Sequence, residues 1–201
     1  MAATLPDVIL LNGSSSAGKT SIARALQARL PEPYMLFGID DVFPWTPLRW
    51  HDSPEGFQFT PLPTGELPLR VGPRGDMILK AWRRMVRAAV EEGLRVVLDE
   101  VFVTDDALQD WARTLAGREV FLVGVRCALA ELQRRERARG DRGVGQALWQ
   151  HERVHAQGPY DFEVDTTSAS AEACAAQILA ALETRTTPSV FERLAQGADR
   201  A

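Results

Sequence analysis

Residues 13–20 combine glycines, hydroxyl side chains and a lysine at a spacing suited to binding phosphate. They read Gly-Ser-Ser-Ser-Ala-Gly-Lys-Thr, after an apolar run that predicts a buried strand and before a segment that predicts a helix. The glycines allow the backbone to form a nest of N–H donors around a polyphosphate, and the helix adds its positive dipole end. Lys19 is expected to reach the β- and γ-phosphates, and the Thr20 hydroxyl to ligate Mg²⁺. The nucleotide-binding candidates are therefore Gly13, Ser14, Ser15, Ser16, Ala17, Gly18, Lys19 and Thr20.

Two aspartates, Asp40 and Asp41, follow the next apolar run at 35–39. The carboxyl ends of parallel strands border the crevice in which ligands bind, so Asp40 is expected to face the γ-phosphate. There it would accept the proton of an acceptor hydroxyl and orient that hydroxyl for in-line attack, as a catalytic base. Aspartate is also a preferred N-cap, so either residue, and Asp41 above all, is open to a capping role instead. Both aspartates are candidates for binding the acceptor.

A second acidic pair, Asp99 and Glu100, ends the apolar run at 95–98. Beside a phosphate loop, a carboxylate at a strand end commonly holds Mg²⁺, and we favour Asp99 for that role. Two alternatives stay open. Glu100 would contact the acceptor, or either carboxylate would pair with an arginine.

The arginine-rich stretch 134–142 places Arg135 and Arg139 four residues apart on one helix face. Guanidinium groups bind phosphate oxygens in bidentate fashion and stabilise charge on a transferring phosphoryl group, which makes Arg139 a catalytic candidate as well. Gly140 provides a hinge, so the stretch is typical of a lid, with Arg142 expected on the acceptor side. A charged run is more often a solvated helix face, but a phosphate loop in the same chain favours the lid.

The elements that must position these residues alternate along the chain, which predicts a parallel sheet with helices on both faces. With 201 residues, 45% of them hydrophobic, the chain suffices for one α/β domain with a small lid. Segment 44–74, rich in proline, glycine and aromatic residues, is too long for a plain connector and predicts an acceptor loop, with Trp45 as a wall. The alternative, that the aromatic residues pack the loop onto the domain, stays open. The predicted strands are 8–11, 35–39, 95–98, 120–125 and 161–164, and the predicted helices are 19–30, 76–92, 105–115, 128–139 and 171–183.

Composition excludes several classes of partner. A net charge of −4 and a pI near 5.5 argue against nucleic-acid binding. Two cysteines are too few for a disulfide framework, and no apolar segment approaches membrane-spanning length, so we expect a cytoplasmic protein that binds no membrane. Within the C-terminal extension at 185–201, residues 187–194 predict a short capped helix that would dock on the core or mediate self-association into a homo-oligomer.

Taken together, these motifs resemble the chloramphenicol 3-O-phosphotransferase family over residues 8–181. The resemblance is carried by residues 11–20, 30–33, 37–40, 99–102, 123–127, 138–142, 154–155 and 160–167. It implies a three-layer α/β/α P-loop kinase fold with a five-stranded parallel sheet and a small helical lid. One kinase domain would then span 1–184, with the lid at about 128–158 and the acceptor loop at about 41–75.

The resemblance also implies that ATP and Mg²⁺ are used to phosphorylate a hydroxyl of an antibiotic, with Asp40 as the base. By the same matching, Val101 and Phe102 fall near the acceptor, and Thr166 and Thr167 lie where related kinases hold the adenine. Residues 44–51 and 55–59 share little sequence with the family. Another small hydroxylated acceptor, such as an alcohol, nucleoside or sugar, therefore stays open, as does a regulatory nucleotide-binding ATPase.

Overall fold

A parallel sheet forms the centre of the molecule in the computed structural model, which describes residues 5–140, 143–185 and 188–198. Within those ranges, five strands pair in the order β2-β5-β1-β6-β7, and β3 and β4 form a separate antiparallel hairpin. The strands are β1 (Val8–Asn12), β2 (Tyr34–Gly38), β3 (Phe57–Phe59), β4 (Leu69–Val71), β5 (Arg95–Glu100), β6 (Val120–Arg126) and β7 (Phe162–Asp165).

Helices cover both faces of the sheet, which confirms the predicted α/β fold. They are α1 (Lys19–Gln27), α2 (Val42–Trp45), α3 (Pro73–Glu91), α4 (Asp105–Thr114), α5 (Leu129–Arg139), α6 (Gln146–Gln150), α7 (Ala171–Glu183) and α8 (Val190–Ala198), with 3₁₀ turns at Ile39–Asp41 and Leu48–Trp50. The main strands and helices lie within a few residues of their predicted bounds. The β3–β4 hairpin inside the predicted acceptor loop, and the short helices α2 and α6, were not predicted.

The two faces of the sheet carry separate hydrophobic clusters because side chains alternate along each strand. Ile9 and Leu11 of β1 share one cluster with Ile22 of α1 and Ile178 of α7. Val8 and Leu10 share the other with apolar residues of α3, α4 and α8. Every residue of β1 is buried, which places the central strand, and the start of the loop that follows it, in the core of the fold.

The C-terminal helix α8 packs against the core, one of the two roles expected of the tail. Ser189 caps it: the Glu192 N–H donates to Ser189 Oγ at 3.1 Å, and the Ser189 N–H donates to Glu192 Oε2 at 2.6 Å. Val190 and Phe191 are buried against α4 and β6. No helix in the described part of the chain is both long and apolar enough to cross a membrane.

Candidate active site

The phosphate loop joins β1 to α1 at the carboxyl edge of the sheet. A Cβ at Gly13 would lie 2.5 Å from the Val125 carbonyl oxygen, so only glycine lets the loop pass this close to β6. Ser16 and Gly18 have φ values of 64° and 88°, in the left-handed region. Residues of this conformation are typical of the backbone nests that bind anions.

Lys19, Thr20 and Asp99 meet where β1 and β5 end side by side. The Lys19 ammonium donates to the Ser14 carbonyl at 3.0 Å and lies 3.4 Å from Asp99 Oδ1. Thr20 Oγ1 donates to Asp99 Oδ2 at 2.6 Å. Strand pairing accounts for the meeting, since Leu11 stands opposite Asp99 in the β1–β5 register.

The alternation of β5 separates the roles of its two terminal carboxylates. Asp99 lies on the face of Val97, toward α1 and the phosphate loop, where it meets Thr20. Glu100 lies on the face of Leu98, where Trp82 Nε1 donates to Glu100 Oε1 at 3.4 Å. Asp99 is therefore the carboxylate beside the phosphate loop.

A magnesium ion fits the donors that Thr20 and Asp99 supply. Mg²⁺ is usually held through hard oxygen ligands, by one or two carboxylates together with substrate phosphates. A hydroxyl and a carboxylate oxygen 2.6 Å apart, beside a phosphate loop, are such a set. Across the described residues, no group of three or more His, Cys, Asp or Glu forms a metal site made of protein alone.

Asp40 and Asp41 occupy the 3₁₀ turn that follows β2. Asp40 is exposed and lines the same cleft as Lys19 and Asp99. Asp41 Oδ2 accepts a hydrogen bond from the Gly38 N–H at 2.8 Å, which is the capping role left open for it. Because Gly38 stands opposite Asp99 in the β2–β5 register, the two acidic strand ends are neighbours.

Arg135 of the predicted lid lies over the phosphate loop. Its Nη2 donates to the Thr166 carbonyl at 2.6 Å and its Nε to Glu131 Oε1 at 2.7 Å. Its Nη1 would lie 3.7 Å from a Cβ at Gly18. Two hydrogen bonds, the stronger effect from Arg134 and the weaker from Arg135, lower the pKa of Glu131 to about 2. This carboxylate therefore stays charged and orients both arginines.

A single cleft of about 710 Å³ brings most of the predicted site residues together. Arg139 faces this cleft, as does Arg135. Arg142 lies outside the described residues. The predicted residues that line the cleft are Ser15, Ser16, Gly18, Lys19, Thr20, Asp40, Asp99, Val101, Arg135, Arg139 and Thr166.

The hydroxyls of Thr166 and Thr167 are engaged within the protein. Thr166 is buried, and its Oγ1 donates to the Ala17 carbonyl at 2.8 Å, tying the end of β7 to the phosphate loop. Thr167 Oγ1 accepts from the Ala128 N–H at 2.8 Å. A contact of these residues with adenine stays a prediction.

The three remaining acceptor-side candidates lie at different depths. Glu100 is 3% exposed, and burial raises its pKa to about 7, against the lowering effects of the Arg83 charge and the Trp82 hydrogen bond. Phe102 is 1% exposed, within the core. Trp45 is 57% exposed, its ring edge-on to Trp82 at 5.9 Å. Their contact with an acceptor stays a prediction.

Two polar residues that sequence reasoning missed hold the phosphate loop. The side-chain amide oxygen of Gln150, Oε1, accepts from the Ser15 N–H at 2.6 Å. Asn12 Oδ1 accepts from the Phe102 N–H at 2.8 Å, and its Nδ2 donates to the Val154 carbonyl at 2.8 Å. A local pattern could have identified Asn12, because it is a polar residue at the end of the apolar run, directly before Gly13. No such pattern points to Gln150, because its partner lies 135 residues away.

Comparison with protein families and sequences identifies relatives along nearly the whole chain. The family model described as "Chloramphenicol phosphotransferase-like protein" matches residues 6–183. A protein of Mycobacterium tuberculosis strain H37Rv, named "Putative O-phosphotransferase", is 33% identical over 205 residues, covering 93% of this chain and 87% of that protein.

Solved structures of kinases share the fold at low sequence identity. Shikimate kinase from Acinetobacter baumannii, in complex with shikimate, has a TM-score of 0.58 at 15% identity, covering 88% of this chain and 92% of that one. The Mycobacterium tuberculosis APS kinase CysC, in complex with AMPPNP and APS, has a TM-score of 0.57 at 15% identity, covering 89% of this chain and 98% of that one. These likenesses establish the kinase fold.

Proposed function

The chain belongs to the chloramphenicol phosphotransferase-like protein family, and from that premise we propose that it is an ATP-dependent O-phosphotransferase. It moves the γ-phosphate to a hydroxyl of a small-molecule antibiotic, chloramphenicol or a related compound, in the cytoplasm. The observation that carries the proposal is the single cleft shared by Lys19, Asp40, Asp99 and Arg139. A phosphate-binding cation, a base, a metal-side carboxylate and a lid arginine are the parts that phosphoryl transfer requires.

Binding of the polyphosphate is assigned to the phosphate loop and Lys19. The backbone N–H groups of the loop and the start of α1 attract phosphate oxygens. The Lys19 ammonium is held beside the loop by the Ser14 carbonyl and by Asp99, so it is already placed near the site of negative charge. Mg²⁺ held by Thr20 and Asp99 would supply neutralisation of the β- and γ-phosphate oxygens.

Transfer is assigned to Asp40 together with the lid arginines. The acceptor oxygen forms a bond to the γ-phosphorus, the bond from that phosphorus to the β–γ bridging oxygen breaks, and ADP leaves. Asp40 takes the hydroxyl proton, which its exposed position on the cleft allows. Arg135 and Arg139 stabilise the charge on the transferring group, and closure of the lid excludes water.

The acceptor side supports a partly apolar aromatic compound. Trp45 stands exposed, and Trp50 has the guanidinium groups of Arg49 and Arg74 over its ring at 5.3 and 5.8 Å. Such a surface offers apolar walls with nearby positive charge. Since residues 44–51 and 55–59 depart from the family's usual sequence, a small alcohol, nucleoside or sugar is the alternative acceptor.

The test is transfer of labelled phosphate from ATP to chloramphenicol, its close analogues, and a panel of other hydroxylated antibiotics, nucleosides and sugars. Asp40→Asn serves as the inactive control. Label on chloramphenicol, lost in the control, supports the antibiotic kinase. Label only on a sugar or nucleoside supports the alternative acceptor. No transfer to any hydroxyl, with ATP consumed at the same rate throughout, contradicts an O-phosphotransferase.

A further inference from the structure

The short helix α6, which lies within the predicted lid range, contacts both the phosphate loop and the lid helix α5. At its C-terminal end, Gln150 Oε1 accepts from the Ser15 N–H at 2.6 Å. At its N-terminal end, the carboxylate of Glu136 in α5 accepts from the N–H groups of Gly145 and Ala147, both at 2.9 Å. Glu136 and Gln150 are both buried, so these hydrogen bonds are shielded from competing water.

The residues that flank α6 contact the loop of the β3–β4 hairpin, residues 60–68. The Leu67 N–H donates to the Gly145 carbonyl at 3.0 Å, and Arg153 pairs with Glu66 at 3.0 Å. Gly145 has a φ of 110°, and a Cβ there would lie 2.3 Å from the Gly65 carbonyl oxygen. Only glycine therefore allows the hairpin loop to approach α6 this closely.

We propose that Gln150 is a positioning residue for the phosphate loop, and that α6 transmits the position of the hairpin loop to Ser15. A five-residue helix is about 7.5 Å long, so the contacts at its two ends lie close together. The C-terminal end of α6 is also held by the core. The Val154 N–H donates to the Gln150 backbone carbonyl at 2.8 Å, and the Val154 carbonyl accepts from Asn12. A shift of the hairpin loop at Gly145 therefore reaches the Gln150 side chain.

This inference rests on the proposed function only in placing the hairpin loop on the acceptor side. The contacts themselves link the hairpin loop, α6 and the phosphate loop. The functional meaning is that an acceptor held by the hairpin would help to order the loop that binds ATP. Coupling of this kind is reciprocal, so ATP would also favour the hairpin position that binds the acceptor.

The direct test is the backbone amide resonance of Ser15 in a ¹H–¹⁵N spectrum of the full chain. Gln150→Met keeps the side-chain length and removes the acceptor oxygen, so the Ser15 resonance should shift. Gly145→Ala, whose Cβ would meet the hairpin loop at a residue that also donates to Glu136, should shift the same resonance. Gly117→Ala is the matched control, because Gly117 also has a positive φ, 76°, and a Cβ there would meet no atom within 4 Å.

Affinity for ATP provides the second readout. Losing one neutral hydrogen bond to the loop should weaken ATP binding about fivefold in Gln150→Met, measured by calorimetry. The double variant Gly145→Ala/Gln150→Met should bind ATP about as weakly as Gln150→Met alone, since both changes break one connection.

Three outcomes would overturn the inference: an unmoved Ser15 resonance in folded Gly145→Ala, tighter ATP binding in Gln150→Met, or additive losses in the double variant. If Gly145→Ala does not fold, Glu66→Gln takes its place in the same spectrum, because it weakens the pairing with Arg153 and, within the hairpin loop, the contact with Thr64. No acceptor is present in these experiments. A negative phosphate-transfer assay would therefore not change what the spectrum and the ATP titration say about Gln150. Likewise, a negative result in the spectrum would not count against phosphate transfer.

Discussion

Glu100 makes the stability of this protein dependent on pH in a way that one substitution should remove. Burial raises its pKa from 4.5 to about 7, with the Arg83 charge and the Trp82 hydrogen bond opposing the rise. Between pH 4.5 and about pH 7, Glu100 therefore binds a proton more tightly in the folded protein than in the unfolded chain. Stability is greatest when the carboxyl is protonated, and it falls as the pH rises from about 4.5 to about 7.

The size of the effect follows from the two pKa values. Each pKa unit is worth about 1.36 kcal/mol, so the rise from 4.5 to about 7 corresponds to about 3 kcal/mol in full. At pH 5 the carboxyl of the unfolded chain has already lost most of its protons, so part of the effect lies below that pH. Between pH 5 and pH 8, the wild type should lose about 2 kcal/mol of unfolding free energy through Glu100. Glu100→Gln keeps the shape of the side chain and has no proton to release.

The assay is urea unfolding at pH 5, 6, 7 and 8 for the wild type and Glu100→Gln. The difference between the two unfolding free energies cancels the titration of every other group. Relative to the wild type, Glu100→Gln should gain about 2 kcal/mol between pH 5 and pH 8. Glu92→Gln, at an exposed position after α3, is the control and should follow the wild type. A difference that stays constant with pH would refute the buried, protonated state of Glu100.

Three further substitutions test other parts of the account. Asp40→Asn should lower kcat by about 100-fold or more and leave the Kd for ATP nearly unchanged, as loss of a general base does, and an equal loss of ATP binding would contradict that role. Arg139→Ala should lower kcat more than it raises the acceptor KM, with exposed Arg137→Ala on the same helix as the control. An effect confined to KM would remove Arg139 from the lid. Phe191→Ala should destabilise the fold by about 3 kcal/mol in urea unfolding, because its buried ring leaves a cavity, and a change near zero would mean that α8 does not pack on the core.

The sheet and the phosphate loop were predictable because their signals are local. Each central strand is an apolar run of a few residues, and the glycines at 13 and 18 have the spacing that a phosphate-binding nest requires. The predicted fold and the family resemblance are both confirmed. The choice of Asp99 over Glu100 for the phosphate side agrees with strand alternation, since Asp99 shares the face of Val97.

The contacts that were not predictable join residues far apart in the chain. The bond from Ser15 to Gln150 depends on how the lid returns to the sheet, which no local pattern records. The β3–β4 hairpin has strands of only three residues, too short for a periodic signal, and its pairing depends on the intervening loop. The partners of buried Glu100, Trp82 and Arg83, are side by side on α3, but no local pattern says that they meet the end of β5.

The measurement that tests the central claim most directly is ADP formation from ATP, with and without an acceptor that passes the transfer assay. Because its base, Asp40, needs a hydroxyl to act on, a kinase of this kind should form almost no ADP in the absence of an acceptor. It should then form one ADP for each acceptor hydroxyl phosphorylated. Fast ADP formation without an acceptor, unchanged when the acceptor is added, would contradict phosphoryl transfer and make the protein an ATPase.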